Sequence, residues 1–180
     1  MNKEQKFLNE LLTSDNVAKN ITSNIQQLLL TIPEIKCMIG FEHKHPHHHL
    51  DVWEHTLYAL SLSPNNFDVR LALLLHDIGK PKSFQEDNYV RHFKGHPALS
   101  GILANDILTR LGYPKEYVDF ICEIITKHDT QLSSLDVFSN PQLSKQIFEV
   151  QKCDALAHNP SKNEKRLAYI EKISKLLNEI

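Results

Sequence analysis

Apolar residues recur at helical spacing over most of this chain. Phe7 to Leu12 shows the repeat, and Ile21, Ile25, Leu28 and Leu29 carry it on until Pro33 closes the segment. Residues 41–50 read as a loop, after which Asp51 is placed to cap a helix carrying Val52, His55, Leu57, Tyr58 and Leu60. Ser63-Pro64-Asn65-Asn66 reads as a turn. Residues 68–78 form the most apolar helix, and Gly79 fits the left-handed position just past its end. Residues 83–94 are polar with aromatics and read as a loop or short hairpin. Pro97 suits a helix start, and Leu99, Ile102, Leu103, Ile107, Leu108 and Leu111 make a long stripe that Gly112 ends. Helices over 115–127, 141–157 and 163–180 follow, with a loop over 131–140. Five glycines and few β-branched alternations argue against a sheet. The pattern predicts an all-α bundle of about seven helices, stabilised by packing of apolar stripes.

At 180 residues the chain can bury a core without staples. It reads as a single helical domain with an N-terminal extension over 1–40, a metal-binding core over 41–158 and a C-terminal helix over 163–180. A net charge of -2 gives no basic excess for non-specific nucleic-acid binding. Three distant cysteines without a C-x-x-C suggest reduced, mostly buried thiols. The polar N-terminus and the lack of an apolar run of about 20 residues point to a cytoplasmic protein without membrane contact. Trp53 and Tyr58 are expected in the core, and the charged residues of 163–178 on a solvated face.

Chemistry changes the picture at His76-Asp77, which ends the apolar run Leu71-Ala72-Leu73-Leu74-Leu75. A buried charge there is costly unless a cation compensates it. His55 lies upstream, Asp154 far downstream, and His96 and His128 between them, each beside apolar positions. Any one of these alone reads as a hydrogen-bonded core histidine or a helix cap. Together, six nitrogen or oxygen ligands spread over several helices suggest a site for two metals.

The ordered pattern His55, His76-Asp77, Asp154 resembles the HD-domain superfamily of metal-dependent phosphohydrolases. His96 and His128 match the subset that holds two metals, and the resemblance runs from Phe41 to Asp154. Gly40-Phe41-Glu42, Pro46-His47-His48-His49-Leu50-Asp51-Val52-Trp53-Glu54-His55-Thr56-Leu57 and His92-Phe93-Lys94-Gly95-His96 look more closely like the HD domain attached to some bacterial tRNA nucleotidyltransferases. No paired-aspartate nucleotidyl-transfer motif is visible, so the expectation is the hydrolytic module without the polymerase head.

The resemblance implies hydrolysis of a phosphate mono- or diester by a metal-activated water. Asp77 would bridge two divalent ions (Mn, Fe, Zn, Mg, Ni or Co), with His55, His76 and Asp154 completing one site and His96 and His128 the other. Lys80 would approach a phosphate oxygen as a point charge; the plainer alternative is a solvated lysine at a helix C-terminus. At least one of His47, His48 and His49 would face the pocket, His48 or His49 first, the alternative being an exposed loop with adventitious metal affinity, and His92 would be either a pocket or a surface residue. His158, four residues after Asp154 on the same helix face, could support the ligands but is expected to be exposed, and Asp129 could be a ligand or an orienter but reads more simply as a helix-end turn residue. The substrate would be a small phosphorylated molecule, nucleotide-like, or an RNA end. A di-iron oxygenase and a non-catalytic nucleotide-binding module remain as alternatives, and the oligomeric state is open.

Overall fold

The computed structural model describes residues 1–178, so the end of the expected 163–180 helix, at Asn178's two successors, lies outside the described residues. The architecture is all-α. Its elements are α1 (Lys3–Leu12), α2 (Val17–Ser23), α3 (Ile25–Thr31), α4 (Val52–Ser61), α5 (Phe67–Leu75), α6 (Lys80–Ser83), α7 (His96–Arg110), α8 (Lys115–Lys127), α9 (Ser134–Ser139), α10 (Pro141–Ala157) and α11 (Glu164–Leu177). A small hairpin of β1 (Gln85–Asp87) and β2 (Val90–His92) precedes α7. Asn88 and Tyr89 both take positive φ in its two-residue turn, the backbone twist that hairpin turns favour.

α5 is the centre. Every residue from Val69 to Leu75 is buried, and α1, α4, α8 and α10 surround the helix. A helix apolar on all sides belongs inside a bundle. Its one buried charged residue, Arg70, donates to the carbonyls of Leu12 (2.7 Å) and Ser14 (2.9 Å), which ties the end of α1 to the core. Leu8, Leu11, Val17, Ile21 and Leu28 of the first three helices join the same apolar cluster. α7 and α8 pack along each other, and α10 packs on α4, α5, α8 and α11. Asp51 caps the start of α4 as expected, and Glu54 completes a reciprocal cap with it.

Several expectations need correction. The periodic stretch through Ile21 and Leu29 is broken at Asn24, whose side chain donates to the Asn20 carbonyl (2.9 Å) and competes with the helix ladder. The expected loop over 131–140 contains α9, started by a Ser133–Asp136 reciprocal cap. Tyr58 is 44% exposed rather than core, although Trp53 is buried. Of the cysteines only Cys153 is buried, and Cys37 is exposed.

Gly79 is not left-handed: its φ is -81° and the chain goes straight on into α6. Its role is close approach. A Cβ there would meet the Ser100 amide nitrogen at 2.8 Å and the His96 carbonyl at 2.9 Å. The missing side chain lets the turn after α5 lie against the start of α7, which brings Asp77 and His96 together.

Candidate metal centre

The centre is built from helix ends. His76 and His128 are the C-terminal caps of α5 and α8, and His96 is the first residue of α7. Each places its ring Nδ1 on the carbonyl three residues back: Leu73 at 2.7 Å, Ile125 at 2.6 Å and Phe93 at 2.8 Å. His55 on α4 places Nδ1 3.3 Å from the Ala157 carbonyl. A carbonyl only accepts, so each Nδ1 carries the hydrogen. In the neutral ring this leaves the Nε2 lone pair aimed inward.

These nitrogens converge on two carboxylates. His55 Nε2 is 2.8 Å from Asp154 Oδ1 and 3.8 Å from Asp77 Oδ2. His76 Nε2 is 3.2 Å from Asp77 Oδ2 and 3.7 Å from Asp154 Oδ1. The other Asp77 oxygen, Oδ1, faces His96 Nε2 at 3.3 Å and His128 Nε2 at 3.9 Å. Asp77 thus turns one oxygen to each histidine pair. The structure brings all six sequence-predicted ligands together.

The donor set fits a divalent cation better than it fits itself. His96 and His128 bring Nε2 to Nε2 at 3.2 Å, two acceptors face to face beside a carboxylate. Asp77 Oδ1, Asp77 Oδ2 and His76 Nε2 are buried yet make no hydrogen bond of proper geometry. The 2.7 Å approach of Lys80 Nζ to Asp77 Oδ2 is a charge contact without hydrogen-bond alignment. His55, His76 and Asp77 form one group of ligand atoms mutually within 4.8 Å, and Asp77, His96 and His128 another. Imidazole and carboxylate at this spacing suit Mn, Fe, Zn and similar ions.

Titration of the groups points the same way. Burial opposes charge on Asp77, but His76 and Lys80 outweigh it and hold the carboxyl well below its usual range. Burial likewise opposes charge on Asp154, and His158 and His55 outweigh it. Against burial, Asp77 and Asp154 raise His76 to about 10. A pocket that binds a proton this firmly offers the same negative potential to a metal ion. Burial, then the charge of His76, lowers His128 to about 4.

Three further side chains adjoin the cluster. His43 is buried, and its Nε2 lies 3.1 Å from Lys80 Nζ while Nδ1 lies 2.9 Å from the Leu50 carbonyl. Burial, then Lys80, lowers its pKa to about 2. His158 is buried, not exposed: its Nδ1 sits 2.7 Å from the Asp154 carbonyl and 3.6 Å from Asp154 Oδ1. With His55 and Asp154 it makes a third compact donor group. Arg166, on the supposedly solvated face of α11, reaches Asp154 Oδ2 at 3.6 Å and Asp129 Oδ1 at 3.4 Å. The one-turn spacing of Asp154 and His158 is the signal in the sequence that offers His158 as support for the site.

The cluster lies at the floor of a cavity of about 750 Å³. Lys80, His48 and His92 line it, with His45 and His47 from the same histidine-rich loop. Lys80 is buried against Asp77, His43 and the Phe93 ring, 5.5 Å from the ring centroid, and is not a solvated lysine. His48 stacks flat on His43 at 3.7 Å between centroids. Burial, then Lys80, keeps His48 neutral by lowering its pKa far below the usual imidazole range. His49 is not brought to this cavity; it is exposed and lines separate depressions with Leu50 and Glu54.

The HD-domain family profile matches residues 47–170, which include all six converging residues and the five helices that carry or flank them. The chain belongs to the HD-domain family. Among curated proteins, this HD domain is similar to the CC-adding tRNA nucleotidyltransferase of Thermus thermophilus, 36% identical over 108 residues, or 56% of this chain and 25% of that protein. It is similar to the A-adding tRNA nucleotidyltransferase of Deinococcus radiodurans, 36% identical over 138 residues, or 72% of this chain and 32% of that protein. It is also similar to the Multifunctional CCA protein of Legionella pneumophila, 29% identical over 146 residues, 71% of this chain and 35% of that protein. The chain therefore spans between 25% and 35% of the length of these relatives. No helix among the described residues is long and apolar enough to cross a membrane.

Proposed function

We propose that this HD domain is a metal-dependent phosphohydrolase that cleaves a phosphate mono- or diester of a nucleotide or similar small molecule with water. The observation that carries the reading is the two-sided Asp77: both its buried oxygens lack proper hydrogen bonds and each faces a different pair of histidines. His55, His76, Asp77 and Asp154 would hold one ion, and Asp77, His96 and His128 the other.

When bound, divalent ions supply Lewis acidity, which makes water a nucleophile near neutral pH and offsets charge on phosphate oxygens. The residues do the rest. The Nδ1 contacts to backbone carbonyls hold each ring in one orientation and one tautomer. Lys80 Nζ, fixed by Asp77 and His43, borders the cavity and adds positive charge where a phosphate oxygen would lie. His43 and His48 stay neutral beside it, so they do not repel that charge further. The absence of a Gly-rich phosphate cradle leaves anion binding to the cations of the floor. The names of the relatives concern tRNA, which favours nucleotides and RNA ends over other phosphate esters.

The test is phosphate or nucleoside release from a panel of nucleoside monophosphates, cyclic nucleotides and phosphorylated RNA ends with Mn²⁺, Co²⁺, Ni²⁺ or Mg²⁺. Release that chelator abolishes and metal restores is the expected outcome. No release from any ester with any of these ions, by protein that binds them, would remove the reading.

A further inference from the structure

The cluster occupies only the floor of the cavity, and the rim has a different character. Lys165 and Arg166 line it from the first turn of α11, Lys162 from the segment just before that helix, and Lys94 from the segment between β2 and α7. Among the described residues, Lys94, Lys162 and Lys165 have no carboxylate within ion-pair distance. Asp129 and Glu164 are the acidic groups of the rim, and Arg166 already engages Asp129 at 3.4 Å. The chain as a whole carries a net charge of -2, so this positive excess is local.

The rim is also built into the fold. The Asn159 amide donates to the His47 carbonyl (2.9 Å), and the Asn159 side chain donates to the Pro46 carbonyl (3.2 Å). His47 Nδ1 lies 3.3 Å from the Lys162 carbonyl. These contacts join the histidine loop to the segment that leads into α11. The first turn of α11 has no side-chain cap, so its backbone N–H groups add to the same positive field.

A single phosphate that reaches the floor meets the metal ligands and Lys80. The three rim lysines then have no counterpart on that substrate. We propose that the rim is a second anion subsite, and that the natural substrate carries another phosphate besides the one attacked. This rests on the phosphohydrolase reading of the floor. Two sources share that chemistry. One is a small nucleoside bisphosphate; the other is a phosphorylated nucleotide-chain end, whose next internucleotide linkage supplies the second charge.

The experiment compares adenosine 3′-monophosphate with adenosine 3′,5′-bisphosphate on the metal-loaded chain. It reads kcat/KM for phosphate release and, in Lys80→Ala, the Kd. A charge-assisted contact predicts that the bisphosphate is favoured about tenfold or more in both. Lys162→Ala together with Lys165→Ala, a surface pair whose loss leaves the core intact, narrows that preference to about twofold. A 3′-phosphorylated dinucleotide then separates the sources: a gain like that of the bisphosphate assigns the chain end, and no gain assigns the small bisphosphate. Equal kcat/KM and Kd for the first two ligands, or a preference that survives the double substitution, would overturn the subsite. A Kd preference without hydrolysis of any ester would instead remove the phosphohydrolase reading and leave the subsite standing.

Discussion

The histidines of the floor and those of the loop are the same residue type under opposite constraints. His76, His96 and His128 each hang from a carbonyl three residues back, two of them at helix C-termini and one at a helix start. One local contact fixes the ring and aims Nε2 at Asp77. In the loop, His45 and His47 stack on each other 5.2 Å apart and are only partly covered, while His49 faces solvent. Only His43 and His48 of that loop are drawn inward, by stacking and by Lys80. A histidine-rich stretch therefore does not by itself gather ligand atoms; converging helices do.

That contrast can be broken most sharply at Asp77. Asp77→Asn removes the charge shared by both histidine pairs, so turnover should fall by more than the about 10- to 100-fold typical of groups that merely support a ligand. Phosphate release at saturating Mn²⁺ measures it, and near-normal rates would deny Asp77 its central place. Lys80→Ala comes next. It should retain metal content, measured by elemental analysis, and lose about 10²- to 10³-fold in kcat, as when one charge-stabilising donor is removed. Unchanged turnover would take Lys80 out of the mechanism.

A smaller effect concerns acid stability of the metal-free protein. His43, His128 and His158 have folded pKa values lowered to about 2, 4 and 4, mainly by burial, and His48 is lowered further. All are neutral in both states above their ordinary value of 6.5. Below it, the unfolded chain takes up protons that the folded chain refuses, so stability falls as the pH drops toward about 4. His76 has the opposite sign: its stabilisation is complete below 6.5 and is lost as the pH rises through about 10. Thermal melts in chelator should peak between these limbs, with the acid limb steeper. A melting temperature that stays level from about pH 6.5 to 4.5 would contradict the buried, neutral state of these rings. The smallest effect belongs to His49→Ala. Because His49 lies outside the cavity, turnover should stay within about twofold of the unmodified protein, the scale of a surface change.

The bundle and the convergence of the histidines and aspartates were legible because both are written in local patterns. Apolar spacing marked the long helices, and His76-Asp77 at the end of an apolar run marked a buried charge that needs a partner. What escaped depends on contacts between distant segments. Gly79 reads as a helix stop, but its lack of a side chain matters because α7 crosses it. His43 becomes part of the site only when α6 delivers Lys80 to it, and Arg166 only when α11 folds back over Asp154. α9 was hidden because its Leu135 and Phe138 are exposed and follow no buried stripe. Position-by-position spacing does not carry such information.

The central claim is that Asp77 divides its two oxygens between separate cation positions. Metal content per chain, measured on untagged protein and on Asp77→Asn after equilibration with Mn²⁺, tests it directly. The account predicts two ions per chain, with loss at both positions in the variant. Protein that binds no ion, or a variant that binds as many as the original, would contradict it.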